Sequence, residues 1–372
     1  MEFVVFSLGS LNFGPNVRVR KIKRAEQMRI MILGASYGSL LSTKLLMAGH
    51  DVTLVCLAEE AKLINAEGTV VRMTLRGEDQ PRLLRSGDQP GTLDATIPSD
   101  AAPAAYDLVG LAMQEPQYRA PEVKDLLARV AQSRTPCLSI MNMPPLAYLK
   151  RIPGLDSDAL RGCFTDPTVW DPFDPDLVTL CSPDPQAFRP PEEKLNFLHV
   201  GLPTNFKSAA FGDPAHTAIL TQLEDDIAAV RLDGKDVPVK LRLHDSLFVP
   251  LAKWSMLLTG NYRCVTREEA RPIKEAVHSD PAKSAEIYEW VNELARRLGA
   301  DPADQVPFEK YANAAKGLLK PSSAARAIYA GAPYIERVDM VVQKIGASMG
   351  LQMDAVDEIV EIVDAKLAAN RL

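Results

Sequence analysis

The stretch Gly34-Ala35-Ser36-Tyr37-Gly38 has the residue types needed to cradle a phosphate. At a strand-to-helix turn, glycine permits a sharp backbone reversal, close approach to pyrophosphate and tight packing of helix on strand, while the helix N-terminus offers free N–H groups and a positive dipole end. Gly34 and Gly38 can fill the first and last of these roles. Ser36 stands where a G-x-G-x-x-G loop carries a glycine, and the loop is one residue short. Read alone, the stretch serves either as a nucleotide site or as a packing turn. A second candidate lies far downstream in PLAKWSMLLTGN, where Lys253, Leu257 and Asn261 are four apart. On an α-helix they drift by only about 40° per step and share a broad face over roughly 12 Å. An amine and a carboxamide on one face can be a site, or a solvated lysine beside a capping asparagine.

These residues need elements to hold them. Ile30, Met31, Ile32 and Leu33 suggest a buried parallel strand, Leu40, Leu41, Leu45 and Leu46 an apolar helix, and Gly49-His50 its stop before a second strand over 51–57. This βαβ unit has the length of a mononucleotide-binding half. Its second strand ends in Cys56-Leu57-Ala58-Glu59, which offers neither a clear acid for a ribose hydroxyl nor a clear base for a 2′-phosphate. Residues 106–113 and 136–142 supply two more buried strands around a helix, and the alternation predicts a doubly wound, Rossmann-type α/β domain. From 151 to about 241, Asp-Pro and Pro-Pro pairs break the apolar runs, which predicts edge strands and loops in the outer part of the same sheet. After His244 the pattern is helical: Asp280-Pro281 caps a helix with Ile287, Trp290, Val291, Leu294 and Leu298 on one face and Gly299 at its end, and Val356, Ile359, Val360, Val363 and Leu367 repeat the spacing. The expected division is therefore 28–241 for the nucleotide-binding domain and 242–372 for an all-helical one.

A chain of 372 residues is long enough for two cores. Its formal charge of −6, from 42 basic and 48 acidic residues without a long basic block, points away from nucleic acid and anionic membranes and toward a small-molecule partner. The 5 cysteines are scattered and form neither a knuckle nor a disulfide framework; the 5 histidines show no metal-ligand spacing, so no metal is expected. No apolar stretch approaches the ~20 residues of a membrane span. Residues 1–27 place their positive charge after the apolar piece FVVFSLG, the reverse of a secretory signal. They suggest a flexible arm or a start-site extension before Met28, and a cytoplasmic protein.

The order of elements, with MRIMILGASYGSLLSTKLLMAGHDVTLV and PLAKWSMLLTGN, resembles the ketopantoate reductases, the NADPH-dependent 2-dehydropantoate 2-reductases. The resemblance runs from Met28 to about Gly350. It implies that Lys253 is the general acid or electrostatic partner of the carbonyl being reduced, and the chemistry suits a lysine. Negative charge grows on the carbonyl oxygen as hydride arrives, so a fixed ammonium stabilises mainly the transition state, and partial burial eases proton delivery near neutrality. It further implies that Asn142, in SIMNMPP, orients cofactor and substrate together with Asn261, and that Ser323 and Glu336, in KPSSAARAIYAGAPYIERVD, hold the substrate's carboxylate and hydroxyl. Ser323 at a helix start is equally a cap, and Glu336 equally an exposed acid. Departures are evident: a cofactor-holding lysine after the third strand falls on Gln114, a second asparagine of the catalytic helix on Leu257, and the glycine after Asn142 on Met143.

The resemblance implies an NAD(P)H-dependent reductase of a small 2-oxo acid or related carbonyl compound, with NADP the expected cofactor, NAD not excluded, and room for a homodimer. Two other readings stay open. The proline-rich insertion DPTVWDPFDPDLVTLCSPDPQAFRPP could enclose a bulkier ligand, as in an opine-type dehydrogenase reducing an imine; Ser36, Gln114 and Leu257 are also compatible with a nucleotide-binding protein that has lost catalysis.

Overall fold

The computed structural model describes residues 27–372, so the arm or extension expected over 1–27 lies, up to its last residue, outside the described residues. The chain begins as expected, with β1 (Arg29–Leu33), α1 (Ala35–Met47) and β2 (Asp51–Val55), and continues into a helix the sequence reading did not include, α2 (Ala58–Glu67). A hairpin of β3 (Val70–Thr74) and β4 (Pro81–Arg85) precedes β5 (Leu93–Thr96), β6 (Leu108–Leu111), α3 (Pro121–Ser133) and β7 (Cys137–Ile140). There follow β8 (Val178–Ser182), β9 (Gln186–Phe188), β10 (Phe197–Leu202), β11 (Phe206–Ala209), the two-residue strands β12 (Arg231–Leu232) and β13 (Lys235–Asp236), and β14 (Leu241–His244).

Eight of these strands form one sheet in the order β14-β11-β8-β7-β6-β1-β2-β5. The run from β5 to β8 is parallel, while β11 is antiparallel to β8 and carries β14 with it. Parallel strands need cover on both faces, and the apolar residues divide accordingly. Ile30 and Ile32 pack with Leu40, Leu41 and Leu45 of α1 and with Leu220 and Leu223 of the helix Pro214–Ala229; Met31 and Leu33 face the opposite core, with Leu126 and Val130 of α3 and the C-terminal helices. The architecture is the expected doubly wound α/β fold followed by helices.

The stretch 151–241 differs from its reading in three respects, the first being a 16-residue helix, Pro214–Ala229, capped by Asp213, where only edge strands and loops were expected. β8 is no edge strand: it is buried at every position between β7 and β11, because prolines flank it at Pro175 and Pro183 without entering the ladder. β10 leaves the main sheet for a second one of order β4-β3-β10-β9, whose Leu198 and Val200 share the core of α1. The segment that carries Lys253 differs too. Lys253–Met256 is α-helical, but Leu257–Asn261 is a π turn, so Lys253, Leu257 and Asn261 do not keep the 3.6-residue phase. Farther on, Asp280 caps Pro281–Leu298 by accepting from the Lys283 N–H at 3.0 Å, Gly299 at φ +115° ends it, and Asp354–Asn370 buries all five of its expected apolar residues. Among the described residues no helix is long and apolar enough to cross a membrane.

α1 is so enclosed that Lys44 is 0% exposed, its amine donating to the carbonyls of Val237 at 3.5 Å and Pro238 at 3.0 Å. Burial, reinforced by nearby Lys240, pushes the pKa of this lysine from 10.5 down to about 7. The folded chain therefore holds this proton less tightly than the unfolded chain, and stability rises with pH between about 7 and 10.5. Lys44→Met is expected to be more stable than the parent at pH 7, with the gap narrowing toward pH 9.5 when urea midpoints are compared; a pH-independent gap would remove the titration of Lys44 as its cause.

Candidate active site

At the carboxyl end of β1, Gly34 turns the chain with φ +96° and is the N-cap of α1. A Cβ there would come within 2.6 Å of Met113 Cγ and 2.8 Å of the Ala112 carbonyl oxygen; at Gly38 it would meet Ile32 Cγ2 at 2.7 Å. Gly34 thus sets the turn and Gly38 the helix-to-strand spacing. No side chain caps α1 and its first turn holds no acid, so the 13-residue helix presents its backbone N–H groups and positive end at the strand mouth. Ala35 is buried, Ser36 exposed, and the half-buried Tyr37 donates its phenol to the Pro185 carbonyl at 2.6 Å.

Pro185 belongs to a strap, residues 183–189, that follows β8. At the near end of the strap the Lys253 amine donates to the Pro183 carbonyl at 2.7 Å and lies 3.8 Å from Asp184, which also pairs with Lys207 at 3.1 Å and accepts from Ser182 Oγ. Lys253 keeps 20% of its side chain exposed. Burial holds its pKa below the ordinary lysine value, against the opposing pull of Asp184 and Glu336. An ammonium has three donors, so the Pro183 carbonyl fixes its direction and still leaves hydrogens for another acceptor.

Asn142, just past β7, donates to Glu336 Oε2 at 3.2 Å. The Asn142 amide oxygen Oδ1 and the second carboxylate oxygen of Glu336, Oε1, are buried without a partner among the described residues. Burial raises the pKa of Glu336, opposed by Asn142, the Glu115 and Met143 N–H groups and Lys253. Glu336 is held from behind: Tyr262 donates to its carbonyl at 2.6 Å and accepts from the Val338 N–H at 3.0 Å. Lys253 and the Asn142–Glu336 pair thus come from three distant segments, with Lys253 at the strap after β8, Asn142 just past β7, and the charges of Lys253 and Glu336 opposing each other's burial shifts.

Other expected residues are placed differently. Asn261 ends the π turn, and its carbonyl accepts from Ser322 Oγ at 2.7 Å. Ser322 is buried and caps the next helix, whereas Ser323 is exposed on that helix's first turn. Gln114 is likewise exposed and caps a short turn over Glu115–Arg119. Its neighbour Glu115, missed from sequence, is buried, with carboxylate oxygens accepting from the Thr165 N–H at 2.9 Å and hydroxyl at 2.8 Å. Burial pushes its pKa up to about 7 despite those bonds, with Glu336 adding to the rise. An acid just after a buried parallel strand was the available signal. Asp184, Lys207 and the latch of Tyr37 had none beyond the Ser-Pro-Asp-Pro sequence.

No family model and no curated protein matches the sequence. Its fold does match solved structures. A Ralstonia solanacearum protein put forward as a ketopantoate reductase superposes with a TM-score of 0.64 at 15% identity, over 93% of this chain and 100% of its own. A D-mandelate dehydrogenase, solved with NADH and anilino(oxo)acetate, gives 0.62 at 14% identity over 93% and 100% of the two chains. The 2-dehydropantoate 2-reductase of Methylococcus capsulatus gives 0.62 at 11% over 92% and 97%. The chain has the ketopantoate reductase fold.

Proposed function

We propose that this chain is an NAD(P)H-dependent reductase of a small 2-oxo acid or related carbonyl compound, acting where the helical region meets the strand ends. The observation that supports the reading is the setting of Lys253: a partly buried amine that donates to the Pro183 carbonyl, two residues from the Pro185 carbonyl engaged by Tyr37 on the first turn of the uncapped α1, and that feels the charge of Glu336, the partner of Asn142. The names of the neighbouring folds support the reaction class, and the solved mandelate dehydrogenase pairs a nicotinamide with an oxo-acid ligand.

The residues present fit such a cofactor. Backbone N–H groups of 35–37 would hold its pyrophosphate, with Gly34 keeping side-chain bulk away, and Asn142 would lie beside its reactive end. When bound, the nicotinamide supplies the hydride. Lys253 donates a proton to the nascent alkoxide and stabilises its charge; the unpaired oxygens of Asn142 and Glu336 offer acceptors for the substrate's hydroxyl or the carboxamide of the cofactor. Asn261 and Ser323 are assigned to the substrate and Gln114 to the cofactor by the resemblance alone. NADP is the expected cofactor, residues 242–372, helical once β14 has ended at His244, the substrate and dimerisation region, and the working unit a homodimer.

Asp184, 3.8 Å from the Lys253 amine, favours one alternative: a carboxylate there would pair with a protonated imine, as in an opine-type reaction. The test for both is oxidation of NADPH and NADH across a panel of 2-oxo acids, alone and with amino acids added. Turnover on a 2-oxo acid alone is the expected result; turnover only with an amine present selects the imine reaction, and cofactor binding without turnover selects a protein that has lost catalysis.

A further inference from the structure

The strap runs the length of the mouth. Its Pro183 carbonyl sits at Lys253, its Pro185 carbonyl at Tyr37 on the first turn of α1, and its far end brings Arg189 to the first turn of α2, where the guanidinium pairs with Glu60. Arg189 also acts electrostatically on the thiol of Cys56, the first residue past β2. In a doubly wound sheet the carboxyl end of β2 is where the cofactor's adenosine ribose rests; an acid there favours a free 2′-hydroxyl and a base a 2′-phosphate. The local sequence supplies no base. Cys56 is half-buried and Leu57, 77% exposed, is apolar. Glu60 is buried and engaged by Arg189, which leaves the exposed Glu59 as the opposing acid.

We infer that Arg189, delivered from the insertion some 130 residues downstream, is the residue that selects a cofactor phosphorylated on its adenosine ribose, and so NADPH over NADH. The inference rests on the reductase reading. One guanidinium nitrogen, Nη2, is used by Glu60; the other two have no protein partner among the described residues, and 25% of the side chain is exposed. A planar fork held on one side by a carboxylate and open on the other suits a phosphate monoester better than a lysine's point charge would. Tyr37 and Lys253, by anchoring the strap's two proline carbonyls, keep the fork at this end of the mouth.

The test is equilibrium binding to the full chain by nucleotide fluorescence, with no substrate present. The parent is expected to bind NADPH at least about tenfold more tightly than NADH, and Arg189→Ala to weaken NADPH about tenfold or more while leaving NADH within about twofold. Arg189→Lys should retain part of the preference. A parent that prefers NADH, or an Arg189→Ala protein that weakens both cofactors equally, overturns the assignment and leaves the nucleotide reading standing. Binding of neither by the parent overturns both. If Arg189→Ala leaves Glu60 unpaired and the protein fails to fold, the parent alone decides: adenosine 2′,5′-bisphosphate should displace NADPH at least about tenfold better than adenosine 5′-monophosphate, and equal potency sinks the proposal.

Discussion

Replacing Lys253 by alanine is expected to lower turnover of a 2-oxo acid by about 10²- to 10⁴-fold while leaving NADPH binding within about twofold. The amine is held in direction by a backbone carbonyl and feels the charge of Glu336, the partner of Asn142. It donates to the Pro183 carbonyl at 2.7 Å, and both Asp184 and Glu336 act on its charge. In the proposed role its loss would remove the proton donor and the stabilisation of an oxyanion, neither of which the ground-state complex needs, so kcat should fall rather than affinity. Lys253→Arg should recover little, because a planar guanidinium cannot take the single direction set by Pro183 and gives up a proton far less readily. Because burial lowers the pKa of the lysine, the acid form is lost earlier on raising pH than for a free amine, and kcat should fall through that lowered value. Burial also means that the charge costs stability, so Lys253→Met should unfold at the same temperature as the parent or higher. An unaltered turnover in Lys253→Ala, with the fold intact, would remove the proposed acid.

The N-terminal βαβ unit was legible because its signals are local: an apolar run, Gly34, a leucine-rich helix and Gly49 follow in sequence and each fixes the next. The cap at Asp280 and the last helix were legible on the same grounds. β8 was not, since five apolar and small residues between prolines cannot reveal whether the prolines fall inside the ladder or beside it. The second sheet was hidden because β3 and β10 pair across more than a hundred residues, and non-local pairing leaves no periodic mark. At two site positions the inward-facing residue is the neighbour of the one read from the resemblance: Glu115 beside Gln114, Ser322 beside Ser323. Sequence order places a segment at the mouth, but the phase of a turn decides which residue of a pair faces inward. The strap was the deepest omission: its proline carbonyls carry no side-chain signature, and its anchors, Tyr37 and Lys253, lie in other segments.

Arg337, the residue after Glu336, belongs to a buried ion pair, and the second large effect is expected there. Arg337 grips Asp339 through Nε at 3.0 Å and Nη2 at 2.9 Å, and its Nη1 reaches Asp364 on the last helix. Asp339 is 0% exposed and Arg337 7%. Arg337→Met should cost about 3–5 kcal/mol, because it strands a fully buried carboxylate rather than merely removing an attraction. The double variant Arg337→Met with Asp339→Leu should recover most of that loss, since apolar residues of similar volume avoid the desolvation of both ions. Activity should not recover in parallel. The Arg337 N–H donates to Met143 Sδ at 3.3 Å and the Val338 N–H to Tyr262, so the pair sits at the centre of the segment that presents Glu336 to Asn142. Urea unfolding measures the first effect and kcat the second. A double variant as unstable as Arg337→Met would show that the stranded charge is not the cause, and one with full activity would show that Glu336 keeps its place without the pair.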